Sequence, residues 1–352
     1  MKLKRVVSGI QPTGILHVGN YFGAVKNWIK LSENSSNQCF YFIADHHSVT
    51  NKYCGIEARK QDEKEEKSQN QEYGSKLTVI QTASCLLASG LDPKKVCLFA
   101  QSNVPAHAEF MWILSCMSPL SWLNNMIQFK EKTKNKDHAL SSTGLYTYPI
   151  LMAADILIYR AEEVPVGEDQ TQHVELTRDL AARLNKFLQN EKIHFPQPNY
   201  SVNPERIMSL QNGLNKMSKS DRNTHSCLSL ITTEEEIKNK ILKAKTDSIG
   251  NVTYDEKKRP DVSNLINIYA NSSGLSIKEV EEKFSSASTY EFKIELIKIL
   301  CELLLPISYK AKLLIEKDFD YVRDVLREGR KAAIIESEKN LNDVKSCLNY
   351  FL

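Results

Sequence analysis

The chain has 352 residues, of which 41% are hydrophobic and 25% charged, and its formal net charge is +3. Such a length and composition are typical of a globular protein with more than one domain. The small net charge excludes a protein that binds nucleic acid over its whole surface, so any basic patch must be local.

The eight cysteines include no Cys-x-x-Cys pair, which argues against a zinc or iron–sulfur site. Several of them lie in apolar runs, where a reduced cysteine packs like a small hydrophobic side chain. The first residues carry no signal-peptide pattern, and no apolar run approaches the ~20 residues of a membrane-spanning helix. We therefore expect a cytoplasmic protein that does not bind a membrane.

The N-terminal half alternates short apolar runs with helical patterns. The predicted strands are 5–8, 39–44, 96–100 and 163–167, and the predicted helices are 106–117, 119–132, 148–160 and 170–189. A further helix is predicted to begin near Asn20, its expected N-cap, because Phe22, Val25 and Ile29 recur at helical spacing. This alternation predicts an α/β fold, a Rossmann-like parallel sheet with helices on both faces.

The stretch 57–76 and the C-terminal part break this alternation. Residues 57–76 carry mixed charges without an apolar face, which predicts a mobile charged insertion, with a contact surface as the alternative. Helices are predicted at 234–245, 261–271, 277–284, 292–305 and 313–348, with Pro260 and Pro306 as breaks between elements. We predict a catalytic domain at 1–210 and a second domain at 211–352, which begins with a loop and is otherwise helical.

The segment 9–20 follows the first predicted strand and is rich in glycine. Gly9, Gly14 and Gly19 remove side chains where a ligand could approach the main chain, and the carboxyl end of a parallel strand is where ligands bind. His17 is placed to contact phosphate. The alternative is that the glycines serve only the turn.

A second polar segment lies at the junction between the two predicted domains. Lys216 and Lys219 are three residues apart there, around Met217 and Ser218, and such a pair suits a polyphosphate. The alternative is a solvated loop with no ligand.

Asp155 is an acid inside the apolar run 148–157, where an unpaired carboxylate is costly. One interpretation is an ion pair with a neighbour such as Arg160, and the other is an acceptor for a ligand N–H such as an indole. After the strand at 163–167, Asp169 and Gln170 suit ribose hydroxyls or an α-amino group, unless they only complete a helix N-terminus.

Together these motifs resemble the signatures of class I aminoacyl-tRNA synthetases. The particular residues in them resemble those of the bacterial tryptophanyl branch. The segments that carry the resemblance are 9–20, 45–47, 101–107, 128–132, 152–155, 166–170, 206–210 and 216–220. The generic first signature ends in histidine, whereas this chain has Asn20, as the tryptophanyl branch does. The stretch 57–76 is longer than the usual connection in the family.

The resemblance implies roles for individual residues. The implied ATP contacts are Gln11, Pro12, Thr13, Gly19, Asn20, Gly167, Glu168, Asp169, Ile207, Lys216, Met217, Ser218, Lys219 and Ser220. The implied catalytic residues are His17, Lys132, Lys216 and Lys219. The implied tryptophan pocket contains Asp155 at the indole nitrogen, Tyr148 and Gln170 at the α-amino group, and Met152 and His47.

The resemblance also implies the activity. L-Tryptophan and ATP with Mg²⁺ would give tryptophanyl-adenylate and pyrophosphate, and the acyl group would pass to tRNA(Trp), bound through an anticodon-binding helical domain in a homodimer. The substrate carboxylate is already ionised at neutral pH, so no general base is required for the first step. The alternatives are a tyrosyl-tRNA synthetase, a small-molecule nucleotidyltransferase and a non-catalytic RNA-binding relative.

Overall fold

The computed structural model describes residues 3–12, 14–53, 76–127, 142–202, 206–218, 221 and 223–350. Several predictions concern residues outside that set, namely those for Thr13, Lys132, Lys219, Ser220 and, apart from Lys76, the charged stretch 57–76. They stay predictions.

Five parallel strands form one sheet in the order β3–β2–β1–β4–β5. The strands are β1 (Lys4–Ile10), β2 (Asn37–Ile43), β3 (Val96–Ala100), β4 (Glu163–Val166) and β5 (Asn199–Val202). β2 and β3 are added on one side of β1, and β4 and β5 are then added on its other side. The topological switch point therefore lies between β1 and β4, where a crevice opens beyond the carboxyl ends of the strands.

Helices cover the sheet and continue beyond it. In the first part of the chain they are α1 (Val18–Asn20), a π-helical turn (Tyr21–Val25), α2 (Lys26–Glu33), α3 (Asp45–Tyr53), α4 (Lys76–Ala88), α5 (Ala106–Met117), α6 (Leu120–Asn124), α7 (Thr143–Leu157) and α8 (Thr171–Leu188). In the last part they are α9 (Glu234–Leu242), α10 (Pro260–Ser273), α11 (Ile277–Lys283), α12 (Thr289–Glu316) and α13 (Phe319–Cys347). The predicted α/β class with a helical C-terminal region is confirmed.

The two faces of the sheet belong to two buried clusters. On the central strand β1, Val6 packs into the cluster that contains Trp28, and Val7 packs into the cluster that contains Phe110. Successive strand residues point to opposite faces, so a sheet buried on both sides requires apolar side chains at consecutive positions. This explains why the strands are continuous apolar runs in the sequence.

The fold differs from the prediction at several elements, among them β5 and α12. The edge strand β5 was not predicted, because it has only four residues and two of them, Asn199 and Ser201, are polar. The predicted break at Pro306 is wrong, since α12 runs through it from Thr289 to Glu316. Glu302, whose carbonyl cannot receive an N–H from Pro306, is exposed, as is Pro306 itself. Water can therefore satisfy that carbonyl, which lowers the cost of proline inside the helix.

The last helix returns to the sheet. Gly329 on α13 lies so close to the backbone of Leu98 on β3 that no Cβ would fit between them. Arg5 on β1 pairs with Glu336 at 2.6 Å. The C-terminal helical region therefore packs on the sheet, and the predicted boundary at 210/211 stays a prediction. No helix in the described part of the chain has the length and apolar character that a membrane crossing requires.

Candidate active site

The glycine-rich segment after β1 is held by a strand-like segment of the C-terminal half. Val18 N–H donates to the carbonyl of Leu228 at 2.9 Å, and Leu230 N–H donates to the carbonyl of Leu16 at 2.8 Å. His17 and Ser229 pair between them as an isolated antiparallel bridge. These main-chain bonds fix the segment against a part of the chain about 200 residues later.

His17 is the N-cap of the first helix. Its Nδ1 accepts the N–H of Asn20 at 3.3 Å, and the Asn20 side chain accepts the His17 N–H at 3.1 Å, which closes a capping box. The prediction that Asn20 is the N-cap is therefore wrong, because Asn20 occupies the third helical position. Since Nδ1 accepts, a neutral His17 ring carries its proton on Nε2.

The glycine-rich segment 9–20 and the segment that contains Lys216 and Met217 meet at Gly19. A Cβ at this position would lie 2.9 Å from His17 Nδ1 and 3.6 Å from Met217 Cβ. Met217 is 2% exposed and its N–H donates to the carbonyl of Ile207 at 3.2 Å. A side chain at Gly19 would thus collide with the His17 ring but only touch Met217, so glycine is required here by the capping histidine, and Met217 packs beside it on the same surface.

A cleft of about 920 Å³ opens at the switch point of the sheet. Most of the described residues that were predicted to bind substrates line it, namely Gln11, His17, Gly19, Asn20, His47, Tyr148, Met152, Asp155, Gly167, Glu168, Asp169, Gln170, Ile207, Lys216 and Met217. Pro12, which is buried, and Ser218, which is exposed, are described but are not part of this wall. A cleft of this size and position is typical of a nucleotide-binding enzyme site.

Asp155 lies at the inner end of the cleft and is 1% exposed. Its Oδ2 accepts from His47 Nε2 at 2.8 Å, and its Oδ1 accepts from Gln101 Nε2 at 2.7 Å and from His107 Nδ1 at 2.6 Å. Burial by itself raises the pKa of this carboxyl, but the hydrogen bonds from His107 and His47 outweigh burial and lower the pKa to about 2. The carboxylate is therefore charged at neutral pH.

Arg160 is not the partner of Asp155. It pairs with Asp343 on α13 at 2.6 Å. The interpretation that Asp155 forms an ion pair with Arg160 is therefore wrong. Two histidines and an amide donate hydrogen bonds to the Asp155 carboxylate instead. Sequence reasoning singled out the segment 101–107 but gave His107 no role.

A chain of hydrogen bonds links the predicted α-amino contacts. Tyr148 O–H donates to His173 Nε2 at 3.1 Å, and His173 Nδ1–H donates to Gln170 Oε1 at 2.8 Å. Burial and the nearby charge of Asp169 raise the pKa of Tyr148, so its phenol keeps its proton. Tyr148 and Gln170 therefore each present an oxygen acceptor. His173, which is 1% exposed, was missed by the sequence analysis.

The outer wall of the cleft carries loosely paired charges. Lys216 Nζ lies 3.8 Å from Asp169 Oδ1, and Arg206 lies 4.0 Å from Glu168, with all four side chains half or more exposed. Exposed pairs of this kind contribute little to stability. An anionic ligand can therefore take over Lys216 and Arg206 at small cost.

The family model of class I tRNA synthetases for W and Y matches residues 2–304. The chain belongs to this family. A tryptophan–tRNA ligase of Rickettsia typhi is 41% identical over 349 residues, which cover 99% of each chain. The chain's resemblance to tryptophanyl-tRNA synthetases and its predicted enzyme class are thereby confirmed.

Solved structures agree with the sequence relatives. The tryptophanyl-tRNA synthetase of Mycoplasma pneumoniae is 32% identical, with a TM-score of 0.83 over 99% of this chain and 98% of that one. A Campylobacter jejuni tryptophanyl-tRNA synthetase, solved with ADP and tryptophan, is 30% identical, with a TM-score of 0.74 over 98% and 99%. The match over nearly the full length of each chain includes the C-terminal helices.

Proposed function

We propose that this chain is a tryptophan–tRNA ligase that activates L-tryptophan with ATP and then acylates tRNA(Trp). One observation carries the proposal: Gly19 of the glycine-rich segment, Lys216 of the predicted lysine pair and the buried carboxylate of Asp155 line a single cleft at the switch point of the sheet. The relatives named above support tryptophan over tyrosine, so the tyrosyl alternative is less supported.

The inner end of the cleft suits an indole. Asp155 offers a charged acceptor to the indole N–H, and Met152 and His47 lie on the same wall. Oδ2 accepts one protein donor and can accept a second from the ligand, so a side chain without an N–H leaves this position unpaired and binds less well. Discrimination against phenylalanine of about 10⁴–10⁵ follows from such a design without editing.

The substrate's α-amino group is assigned to the acceptors of Tyr148 and Gln170. This places the substrate carboxylate near the mouth of the cleft, toward Gly19 and Lys216. The carboxylate then attacks the α-phosphate of ATP, and pyrophosphate leaves. Because the nucleophile is already ionised, the protein has to align the reactants and neutralise phosphate charge rather than remove a proton.

Phosphate charge is assigned to cationic and N–H donors around the mouth. His17 offers its Nε2–H, and Lys216 offers an ammonium that is only loosely paired with Asp169. Lys132 and Lys219, for which the resemblance implies phosphate contacts, and Ser220, for which it implies an ATP contact, remain predictions. Gln11, Asn20, Gly167, Glu168 and Ile207 line the same wall and are assigned to the nucleotide.

Mg²⁺ is proposed to enter with ATP. No group of three or more metal-ligating side chains occurs among the described residues. This fits an ion held chiefly by substrate phosphates, as Mg²⁺ commonly is in nucleotide enzymes. The ion would add positive charge beside the phosphates, while the chain's own residues orient tryptophan and ATP.

The homodimer and the cytoplasmic location remain proposals. Trp112 on α5 and Leu120 on α6 are 68% and 71% exposed. Exposed apolar side chains of this size favour a protein contact at the surface of these two helices.

The described cysteines are free thiols, which suits a reducing compartment such as the cytoplasm.

Acylation of bulk tRNA tests the proposed function. The purified chain is incubated with ATP, Mg²⁺, tRNA and one radiolabelled amino acid at a time. We expect label from tryptophan alone to enter the tRNA fraction. Labelling by tyrosine instead would support the tyrosyl alternative, and no labelling by any amino acid would contradict the proposal.

A further inference from the structure

Three fully buried side chains lie behind Asp155, on the side away from the cleft. Gln101, His107 and Tyr159 are each 0% exposed. His107 bridges Asp155 and Tyr159, with its Nδ1 2.6 Å from Asp155 Oδ1 and its Nε2 2.8 Å from the Tyr159 hydroxyl. A histidine between a carboxylate and a phenol can bind both only in a defined protonation pattern.

The direction of these hydrogen bonds follows from the groups themselves. Burial raises the pKa of Tyr159, so its phenol stays protonated and donates to His107 Nε2. A neutral His107 then has its proton on Nδ1, where it donates to the Asp155 carboxylate. Asp155 and Tyr159 thus favour the same tautomer of His107, and the Tyr159 hydroxyl stabilises it by donating to Nε2.

Gln101 completes the arrangement. Its Nε2 donates to Asp155 Oδ1 at 2.7 Å, while its buried Oε1 has no hydrogen-bond partner. Leaving a buried acceptor unpaired is costly, so the orientation of this amide is set by the carboxylate. Oδ1 therefore accepts from two donors, whereas Oδ2, beside His47 on the cleft wall, accepts from one.

We propose that His107 and Tyr159 are positioning residues for tryptophan recognition: through Asp155 Oδ1 they fix the plane of the carboxylate so that Oδ2 receives the indole N–H. This rests on the proposed function of Asp155. Without the His107 donor, Oδ1 keeps only the amide of Gln101, so the carboxylate plane is held less firmly and the acceptor geometry toward the cleft is disturbed.

Two variants of His107 separate its two contacts. In His107→Asn the amide nitrogen replaces Nδ1 and keeps a donor for Asp155, whereas in His107→Gln the amide lies near the Nε2 position and serves Tyr159. Tyr159→Phe removes the hydroxyl that stabilises the tautomer. Tyr41→Phe is the matched control, since it deletes another buried tyrosine hydroxyl, which donates to the Trp28 carbonyl in the other buried cluster.

The substrates are L-tryptophan and its benzothienyl analogue, in which sulfur replaces the indole N–H. ATP–pyrophosphate exchange gives kcat and KM for each. For His107→Gln we expect the KM for tryptophan to rise about 10-fold, with the KM for ATP and for the analogue changed less than about 2-fold. Tyr159→Phe changes the same KM in the same direction, and His107→Asn retains most of the wild-type preference.

An equal rise in KM for both substrates would mean that His107 only packs against its neighbours, and would overturn the proposal. Equal behaviour of His107→Asn and His107→Gln, or an effect of Tyr41→Phe as large as that of Tyr159→Phe, would also overturn it. Asp155→Asn and Asp155→Ala test the underlying function separately. If both keep the full preference for tryptophan over the analogue, the role of Asp155 itself fails.

Discussion

The side-chain amide of Asn264 binds both backbone groups of Met208. Its Oδ1 accepts the Met208 N–H at 2.8 Å, and its Nδ2 donates to the Met208 carbonyl at 2.9 Å. Asn264 is 2% exposed and lies on α10 of the helical region, while Met208 pairs with Lys216 in an antiparallel bridge. The helical region thereby holds the segment that carries Lys216.

Asn264→Ala is expected to weaken both folding and activation. Loss of the buried hydrogen bonds should lower the free energy of unfolding by about 1–3 kcal/mol. The kcat of pyrophosphate exchange should fall while the KM for tryptophan stays near its original value, because Lys216 is displaced and Asp155 is not. Urea unfolding and exchange kinetics measure the two effects. Asn267→Ala, on the same helix, is the control, and equal kcat values in the two variants would contradict this account.

Gly329→Ala is expected to separate α13 from the sheet. An added Cβ would lie 1.9 Å from the carbonyl oxygen of Leu98, so the helix must shift. Overpacking of this kind costs about 1–3 kcal/mol, and we expect the upper part of that range in urea unfolding. Gly250→Ala meets no atom within 4 Å and is the matched control. Similar stability of the two variants would show that this contact tolerates a side chain.

Asp155 should make stability depend on acid pH. Its pKa is about 2 in the folded chain against 3.8 for the free side chain, because hydrogen bonds from His107 and His47 outweigh the effect of burial. The folded state therefore binds this proton less readily, and the stabilisation, about 2 kcal/mol, is present above about pH 4 and is lost between pH 4 and 2. Asp155→Asn should flatten this part of a stability-against-pH curve measured by urea unfolding. Parallel curves for the two proteins would rule the effect out.

Lys219→Ala is expected to slow adenylate formation more than it weakens tryptophan binding. The spacing of Lys216 and Lys219 suggests that both lysines bind phosphate charge that grows in the transition state. Removing one such group should lower kcat about 10²-fold. Single-turnover adenylate formation and equilibrium binding of tryptophan separate the two effects. An unchanged rate of exchange would exclude this role for Lys219.

Much of the sheet could be predicted because its strands are buried on both faces. Consecutive apolar residues such as Val6 and Val7 predict such a strand from the sequence alone. Helix α4 went unassigned for a related reason. Nearly every residue from Thr78 to Ala88 is buried, so the helix has no polar face and no amphipathic period to detect.

Only those residues of the candidate site that belong to sequence motifs could be predicted. Gly19 and Met217 belong to signatures, and their meeting in the cleft follows from the resemblance. His107 and His173 were missed because each gains its role from a residue distant in sequence, Asp155 in one case and Tyr148 in the other. A lone histidine in a helical pattern gives no sign of such a partner before the chain is folded.

Whether the cleft activates tryptophan is measured by ATP–pyrophosphate exchange by the purified chain with each of the twenty amino acids in turn. We expect exchange with tryptophan, and a kcat/KM for phenylalanine that is lower by about 10⁴ or more. Exchange that tyrosine drives better than tryptophan, or no dependence on any amino acid, would contradict the proposed function.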